Sequence, residues 1–228
     1  VHYALERWFK NKDLSRSNSS DLLISYLARG MERCHSHFTK KEFEDYLEEG
    51  KQSLVEFVNY FTEDWMKPSS FETEFIISTE CRGVPLSGKL DRVENHNDSL
   101  RVVDFKTGSS SKHEREKPPS ESLPYGGNYW QQMVFYAVLL KHCGHFPKLP
   151  VRSALYFIKS KDGIFTKKEI DTSSHVDFLE DLIERCYRDI AAAKFAPGCG
   201  KDECSWCRYV STGATSSLLP EEEDEEFN

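Results

Sequence analysis

The stretch SGKLDRVENHNDSLRVVDFKTG, residues 87–108, decides how the rest of the chain is read. It holds two runs of strand-forming residues separated by the turn signal NHND at 95–98. Neighbouring residues of a strand point to opposite faces, so Leu90 and Asp91 face apart. By the same rule Val103 and Phe105 point one way, and Asp104 and Lys106 the other. An acid and a lysine thus share one face at the C-terminal edge of a strand, and a neighbouring strand can add Asp91 beside them. Two carboxylates a few Å apart repel each other and stay ionised cheaply only beside a cation. Hard oxygen ligands of this kind suit Mg²⁺ or Mn²⁺. A lysine next to them can orient a water or neutralise charge developing on a phosphoryl group. The array fits metal-assisted hydrolysis of a phosphodiester. A D-x-K pair taken alone reads equally well as an inter-strand salt bridge, because so short a pattern recurs by chance.

Upstream, a further strand-like run spans 71–78, followed by the turn signal RG at 82–83. With 85–93 and 100–105 it predicts an antiparallel meander of three strands. Glu72 and Glu74 fall on the first of these strands, on one face by alternation, and either could support the Asp91/Asp104 site. The first 65 residues read as helices. Leu22, Leu23, Tyr26 and Leu27 make one apolar face after the capping stretch NSSD at 18–21. Thr39 and Glu42 form a capping box opening a long helix toward Trp65, with Phe43, Tyr46, Leu47, Leu54, Phe57, Val58 and Phe61 as its core side.

Downstream, 107–128 is polar and rich in Ser, Pro and Gly, a long loop of the kind that is either functional or a solvated linker. Its Lys112, His113, Arg115 and Lys117 stand against Glu114, Glu116 and Glu121, so contact with a nucleic-acid backbone and plain solvation are both open. A helix over 129–143, strands over 151–159 and 164–170 joined by a DG turn, and a helix over 173–194 complete the pattern. The order predicts an α/β fold: a central mixed sheet flanked by helices, with a helical N-terminal region.

The 228 residues are 38% hydrophobic, 13% aromatic and 30% charged, within the globular range because aromatic rings bury large apolar areas. No apolar run approaches a membrane span and no secretory signal opens the chain, so no membrane association is expected. The net charge is −8, but the EEEDEE run at 221–226 carries six negative charges, which leaves −2 for the body. A near-neutral body is compatible with a local basic face for nucleic acid. The seven cysteines, an odd number in no regular framework, point to a reducing, cytoplasmic setting.

Beyond residues and spacing, four motifs occur in order: HYALERW with His2, Leu5 and Glu6; GKLDRV with Gly88 and Asp91; VVDFKTG with Asp104 and Lys106; and a helix with Gln132 and Tyr136. Together they resemble the RecB-like nucleases of the PD-(D/E)XK superfamily, over residues 1 to about 195. The resemblance is to the nuclease domains that end UvrD-, AddA- and RecB-type helicases. It implies a restriction-endonuclease-like core and a Mg²⁺- or Mn²⁺-dependent deoxyribonuclease, with exonuclease action expected. It implies Asp91 and Asp104 as metal-binding carboxylates, the Phe105 carbonyl and His2 as further ligands, and Lys106 as the catalytic lysine. Gln132 and Tyr136 are implied to steer that lysine and to touch a DNA phosphate. The opening Val1, inside what reads as a helix, is expected to continue a longer chain, with helicase motor domains upstream supplying any use of ATP in DNA repair or recombination.

The resemblance also frames the C-terminal cysteines. Some relatives hold a [4Fe–4S] cluster through an upstream Cys and a terminal C-x2-C-x5-C. Here Cys199, Cys204 and Cys207 lack a following fourth Cys, so no iron–sulfur cluster is expected, and three thiolates in nine residues could instead hold Zn²⁺. The expected organisation is a nuclease domain over 1–196 (helices over 1–67, sheet-and-helix core over 68–196), a Cys-containing segment over 197–209 and an acidic disordered tail over 210–228. Two rival readings stand: a catalytically inactive DNA-binding or assembly module with the same fold, and a stand-alone exonuclease.

Overall fold

The computed structural model describes residues 1–11, 19–108 and 113–194, together with 204, 205, 207 and 208. The chain divides into two units, Val1–Leu182 and Ile183–Asn228. Cys199, Lys112 and the acidic run at 221–226 lie outside the described residues. Among the described residues no helix is long and apolar enough to cross a membrane.

Four helices precede the sheet: α1 (His2–Lys10), α2 (Ser19–Glu32), α3 (Lys40–Tyr60) and α4 (Thr62–Met66). In α1 the residues Ala4, Leu5, Trp8 and Phe9 recur at helical spacing and are buried. The Thr39–Glu42 capping box forms as expected and starts α3. The long helix expected toward Trp65 is broken at Phe61, whose bridge-region backbone (φ −101°, ψ 20°) ends α3 and begins α4. The break lets Trp65 fold back, where its indole N–H donates to the Val58 carbonyl at 3.2 Å. The C-terminal half of α3 supplies core through Leu54, Phe57 and Val58, whereas Tyr46, expected on the core side, is 53% exposed.

The sheet has five strands in the order β1 (Ser70–Cys81), β2 (Val84–Asn95), β3 (Leu100–Lys106), β4 (Val151–Lys161) and β5 (Ile164–Ile170). The first three form the antiparallel meander, β3 and β4 are parallel, and β4–β5 is antiparallel. The parallel pair needs a crossover, which α5 (Asn128–His142) supplies. Both hairpin turns read from sequence form with paired positive φ values, 51° and 79° at Arg82–Gly83 and 53° and 76° at Asp162–Gly163. Such mirror-image turns match the twist of the flanking strands. A short 3-10 turn, Ser173–His175, leads into α6 (Val176–Ala191).

Helices α1–α4 cover one face of the sheet, packing on Val103, Phe105, Ala154, Tyr156 and Phe165. Helix α5 covers the other, against Ile77, Leu90, Val93, Val102 and Phe157. Aromatic rings fill the first layer: Phe57 meets Phe105, Tyr156 and Phe165 edge to face at 5.7–6.4 Å. Alternation holds along β3 but breaks on β1 and β2. Phe71 packs with the α1–α4 layer while Phe75 and Ile77 pack under α5, and on β2 both Leu90 and Val93 face α5. The switch falls at Glu74, at φ 52°, which lies across the β1–β2 ladder from Asp91 between the pairs Thr73–Arg92 and Phe75–Leu90. That is where the site is built.

Candidate active site

The β2–β3 ladder runs from Asn95–Leu100 to Arg92–Val103 and stops there. Beyond it the strands diverge, and Asp91 replaces the missing ladder bond: its Oδ2 accepts the Phe105 N–H at 2.9 Å. The Phe105 carbonyl lies 3.0 Å from His2 Nε2 at the start of α1, and the same nitrogen is 3.2 Å from Asp91 Oδ2. The hydrogen bond that His2 donates to Asp91 raises the His2 pKa above its usual value, against the burial that lowers it. His2, Asp91 and the Phe105 carbonyl, read from separate motifs, are thus brought together in the fork.

Asp104 points to the α5 side. Its carboxylate is 3% exposed. Gln132 Nε2 donates to Asp104 Oδ1 at 2.9 Å and to the Tyr136 hydroxyl at 2.8 Å, while Gln132 Oε1 accepts from Lys106 Nζ at 2.6 Å. Lys106 Nζ lies 2.8 Å from Asp104 Oδ2 as its ion-pair partner, and this buried oxygen has no other partner among the described residues. Burial pushes the Asp104 carboxyl up to about 6, the Asp91 charge adds to the rise, and Lys106 only partly offsets it. Tyr136 is buried, and burial followed by the Asp104 charge moves its phenol upward.

Tyr129 escaped the sequence reading, and Arg115, read there as a loop residue, meets it. Lys106 Nζ rests 4.4 Å from the centre of the Tyr129 ring, and Arg115 Nη1 donates to the Tyr129 hydroxyl at 2.9 Å. Tyr129, Gln132 and Tyr136 stand at i, i+3 and i+7 of α5, and this shared helix face was the signal available for Tyr129. The loop that carries Arg115 is packed: a side chain on Gly127 would meet the Glu114 and Arg115 backbone at 2.2–2.3 Å. Its Glu116 pairs with Lys168 at 2.6 Å.

Glu72 and Glu74, expected on one face, separate because the chain turns over at Glu74. Glu74 pairs with Lys89 and its charge reaches Val1 and Tyr136. Glu72 is half exposed and faces His145 at 3.8 Å. Glu74 is therefore the one beside the site. Cys204 and Cys207 belong to the second unit, where the Arg208 N–H donates to the Cys204 carbonyl at 3.0 Å.

The donor set fits a hard divalent cation. Asp91, Asp104 and the Phe105 carbonyl offer oxygen, and His2 an imidazole nitrogen. The raised pKa of Asp104, despite Lys106 beside its Oδ2, marks negative charge that the protein compensates only in part. His2 and Asp91 touch, while Asp104 is held back by Gln132 and Lys106, so the three do not bring one donor each within 4.8 Å of one another. An apolar cleft of about 450 Å³ between α2, α3 and the ends of β3 and β4 is bordered by Val1 and Thr107, the chain neighbours of His2 and Lys106.

The sequence model of the PD-(D/E)XK nuclease superfamily matches residues 1–212. No curated protein matches the chain. Among solved structures it is similar to a protein from Eubacterium rectale provisionally described as an exonuclease, at 17% identity and TM-score 0.49, covering 85% of this chain and 75% of that one. It is also similar to SSO0001, at 17% identity and TM-score 0.36, covering 86% of this chain and 95% of that one. The family match takes in His2, Asp91, Asp104, Lys106, Gln132 and Tyr136, and the chain belongs to the PD-(D/E)XK nuclease superfamily.

Proposed function

We propose that the chain is a divalent-metal-dependent deoxyribonuclease that hydrolyses phosphodiester bonds at the fork between β2 and β3, acting as an exonuclease. The observation that carries this is the buried Asp104 carboxylate, which stands 2.8 Å from Lys106 and feels the charge of Asp91. Bound Mg²⁺ or Mn²⁺ supplies Lewis-acid polarisation of the phosphodiester and compensates the two carboxylates. Asp91 and Asp104 hold it, with the Phe105 carbonyl and His2 beside them. Asp91 is itself fixed by the Phe105 N–H, so its position follows the backbone of β3. Lys106 is held between Gln132, Asp104 and the Tyr129 ring, which presents its ammonium to charge developing on the phosphoryl oxygens. Gln132 positions both Lys106 and Asp104 through one amide. Tyr136 offers its own hydroxyl proton to a DNA phosphate. The apolar cleft next to Val1 and Thr107 suits a base flanking the scissile phosphate.

The four motifs shared with RecB-like nucleases support a finer reading. In it the chain is the C-terminal nuclease domain of a superfamily I helicase in DNA repair or recombination, in the cytoplasm. Motor motifs encoded immediately before Val1 are the expected finding, and their absence there overturns that finer reading alone.

The test of catalysis uses labelled single- and double-stranded DNA with Mn²⁺ or Mg²⁺, and EDTA as control. Lys106→Ala is expected to stay folded and keep Mn²⁺ binding, with a lowered metal-free melting temperature because buried Asp104 loses its ion-pair partner, and to lose about 10²–10³ in cleavage rate. Asp104→Ala is expected to lose Mn²⁺ binding and cleavage together. Cleavage that survives both substitutions sinks the assignment. Wild-type DNA binding without cleavage on any substrate, in the full-length chain as well, makes the inactive binding module the better account.

A further inference from the structure

A second group of metal-ligating side chains lies away from the nuclease site. Cys81 Sγ, the His142 ring and the Glu180 carboxylate come from the end of β1, the end of α5 and the first half of α6, and their donor atoms all lie within 4.8 Å of one another. Cys81 is 1% exposed and Glu180 3%. His142 Nε2 is 2.9 Å from Glu180 Oε1, and the Thr79 hydroxyl donates to the His142 carbonyl at 3.0 Å, which ties the end of α5 to β1. Cys81 pairs with Val84 across the hairpin, and Asp91 lies seven residues further along β2, so the group is on the order of 20 Å from the nuclease fork.

We propose that Cys81, His142 and Glu180 bind one Zn²⁺-class ion, which fastens the β1–β2 turn to α5 and α6. The donor set decides the class: a thiol, an imidazole and a carboxylate suit Zn²⁺, whereas Mg²⁺ takes oxygen alone. Bonds of about 2.0–2.3 Å in a tetrahedron place donors roughly 3.3–3.7 Å apart. The His142–Glu180 hydrogen bond opens by less than about 1 Å to reach that arrangement, and the Cys81 spacings, which lie within 4.8 Å, adjust to the same range. His142, 26% exposed against nearly full burial of Cys81 and Glu180, is the side from which water would reach the fourth position. On binding, the Cys81 thiol proton leaves to solvent and the thiolate becomes the ligand.

Two cations now hold Glu180: Lys141 at 2.8 Å and Arg82 at 3.2 Å. Each also has an outer acid, Lys141 with Asp177 at 3.2 Å and Arg82 with Asp181. Glu180 can therefore pass to a metal without stranding either cation. With Cys81 ionised, Cys81, Asp177, Glu180 and Asp181 balance Lys141, Arg82 and one dication. This balance accounts for acids clustered around a carboxylate that two cations already satisfy.

The test uses the full chain carrying Cys199→Ser, Cys204→Ser and Cys207→Ser, so that the C-terminal thiols cannot contribute, with Co²⁺ as the probe for Zn²⁺. The expected result is a thiolate-to-Co²⁺ charge-transfer band that saturates at a single equivalent and is erased by Zn²⁺. Co²⁺ at the nuclease fork has no thiolate and gives no such band. Cys81→Ser should abolish the band. Glu180→Gln, which keeps size and needs no thiol change, should weaken binding by about tenfold or more, at least the loss seen when only a supporting partner is removed. Circular dichroism checks that both variants fold, and if Cys81→Ser does not fold, Glu180→Gln decides. No band in the triple-serine chain, or a band untouched by these substitutions, overturns the site and leaves Glu180 as the ion-pair partner of Lys141 and Arg82.

Discussion

Glu94 and Asp104 lie ten residues apart on adjacent strands, both buried, at 0% and 3% exposure, and their carboxyls shift in opposite directions. Burial pushes both upward. At Glu94 the neighbours outweigh it: Arg92 Nε donates to Oε1 at 2.7 Å, Arg101 Nε to Oε2 at 2.5 Å, and His96 Nε2 lies 3.1 Å from Oε2. The result is a carboxyl held below its usual value, chiefly by the Arg92 and Arg101 charges. At Asp104 the second-largest influence is another carboxylate, which outweighs the Lys106 ammonium 2.8 Å from Oδ2. Arg92 is itself enclosed by the Phe9 and Phe71 rings at 4.1 and 3.9 Å, which face the guanidinium nitrogens that lack hydrogen-bond acceptors. One end of the β2–β3 pair is thus closed with internal counter-charge, and the other is left short of it. Burial is common to both, so the partners alone separate a structural carboxylate from one poised to take a cation.

The largest effect is expected at the closed end. Glu94→Gln keeps the shape and removes the only carboxylate between two buried guanidiniums. Breaking a buried pair from one side costs about 3–5 kcal/mol. Urea unfolding measures it, and a loss below about 1 kcal/mol would mean that Arg92 and Arg101 do not depend on Glu94.

At the open end the sign reverses. The folded chain holds the Asp104 proton more tightly than the unfolded chain, near pH 6 against 3.8. Without metal, stability is full below 3.8 and falls as pH rises through that window, by up to about 3 kcal/mol. Asp104→Asn removes this cost. Above pH 6 the metal-free variant should be more stable than wild type by up to that amount, with the gain gone below 3.8. Mn²⁺ should raise the wild-type melting temperature and leave the variant's unchanged. A variant less stable than wild type at neutral pH would show that Gln132 and Lys106 already compensate Asp104.

The contrast also separates what sequence can carry from what it cannot. Asp104 and Lys106 were legible as one face because β3 keeps its alternation, whereas Asp91 stands beside them at the point where alternation on β2 breaks. The RG and DG turns were legible because their dipeptides name the turn. Gly88, within the quoted motif, has its reason only in three dimensions: a Cβ there would lie 2.5 Å from Leu139 Cδ1, so α5 packs close over β2. Glu74 was not separable from Glu72, because nothing in a Glu announces a positive φ that turns the strand over. Arg92, Glu94 and Arg101 look like the solvent face of alternating strands, and rings from α1, α4 and β1 cover Arg92. Cys81, His142 and Glu180 share no spacing at all, since three separate elements bring them together.

The smallest effect is expected at Tyr136. Gln132 Nε2 donates both to its hydroxyl and to Asp104 Oδ1, so removing the hydroxyl leaves Asp104 and Lys106 held as before. Tyr136→Phe should cost about 1 kcal/mol, the worth of one neutral hydrogen bond, far below the loss at Glu94. The hydroxyl's own proton has no acceptor among the described residues, and burial together with the Asp104 charge keeps that proton on. If it is donated to a DNA phosphate, Tyr136→Phe raises KM for DNA severalfold with kcat little changed. A fall in kcat at constant KM would instead place Tyr136 behind Gln132, acting on the lysine. Unaltered kinetics with the same loss of stability would leave the phenol a core residue, and the open cluster would then end at Gln132.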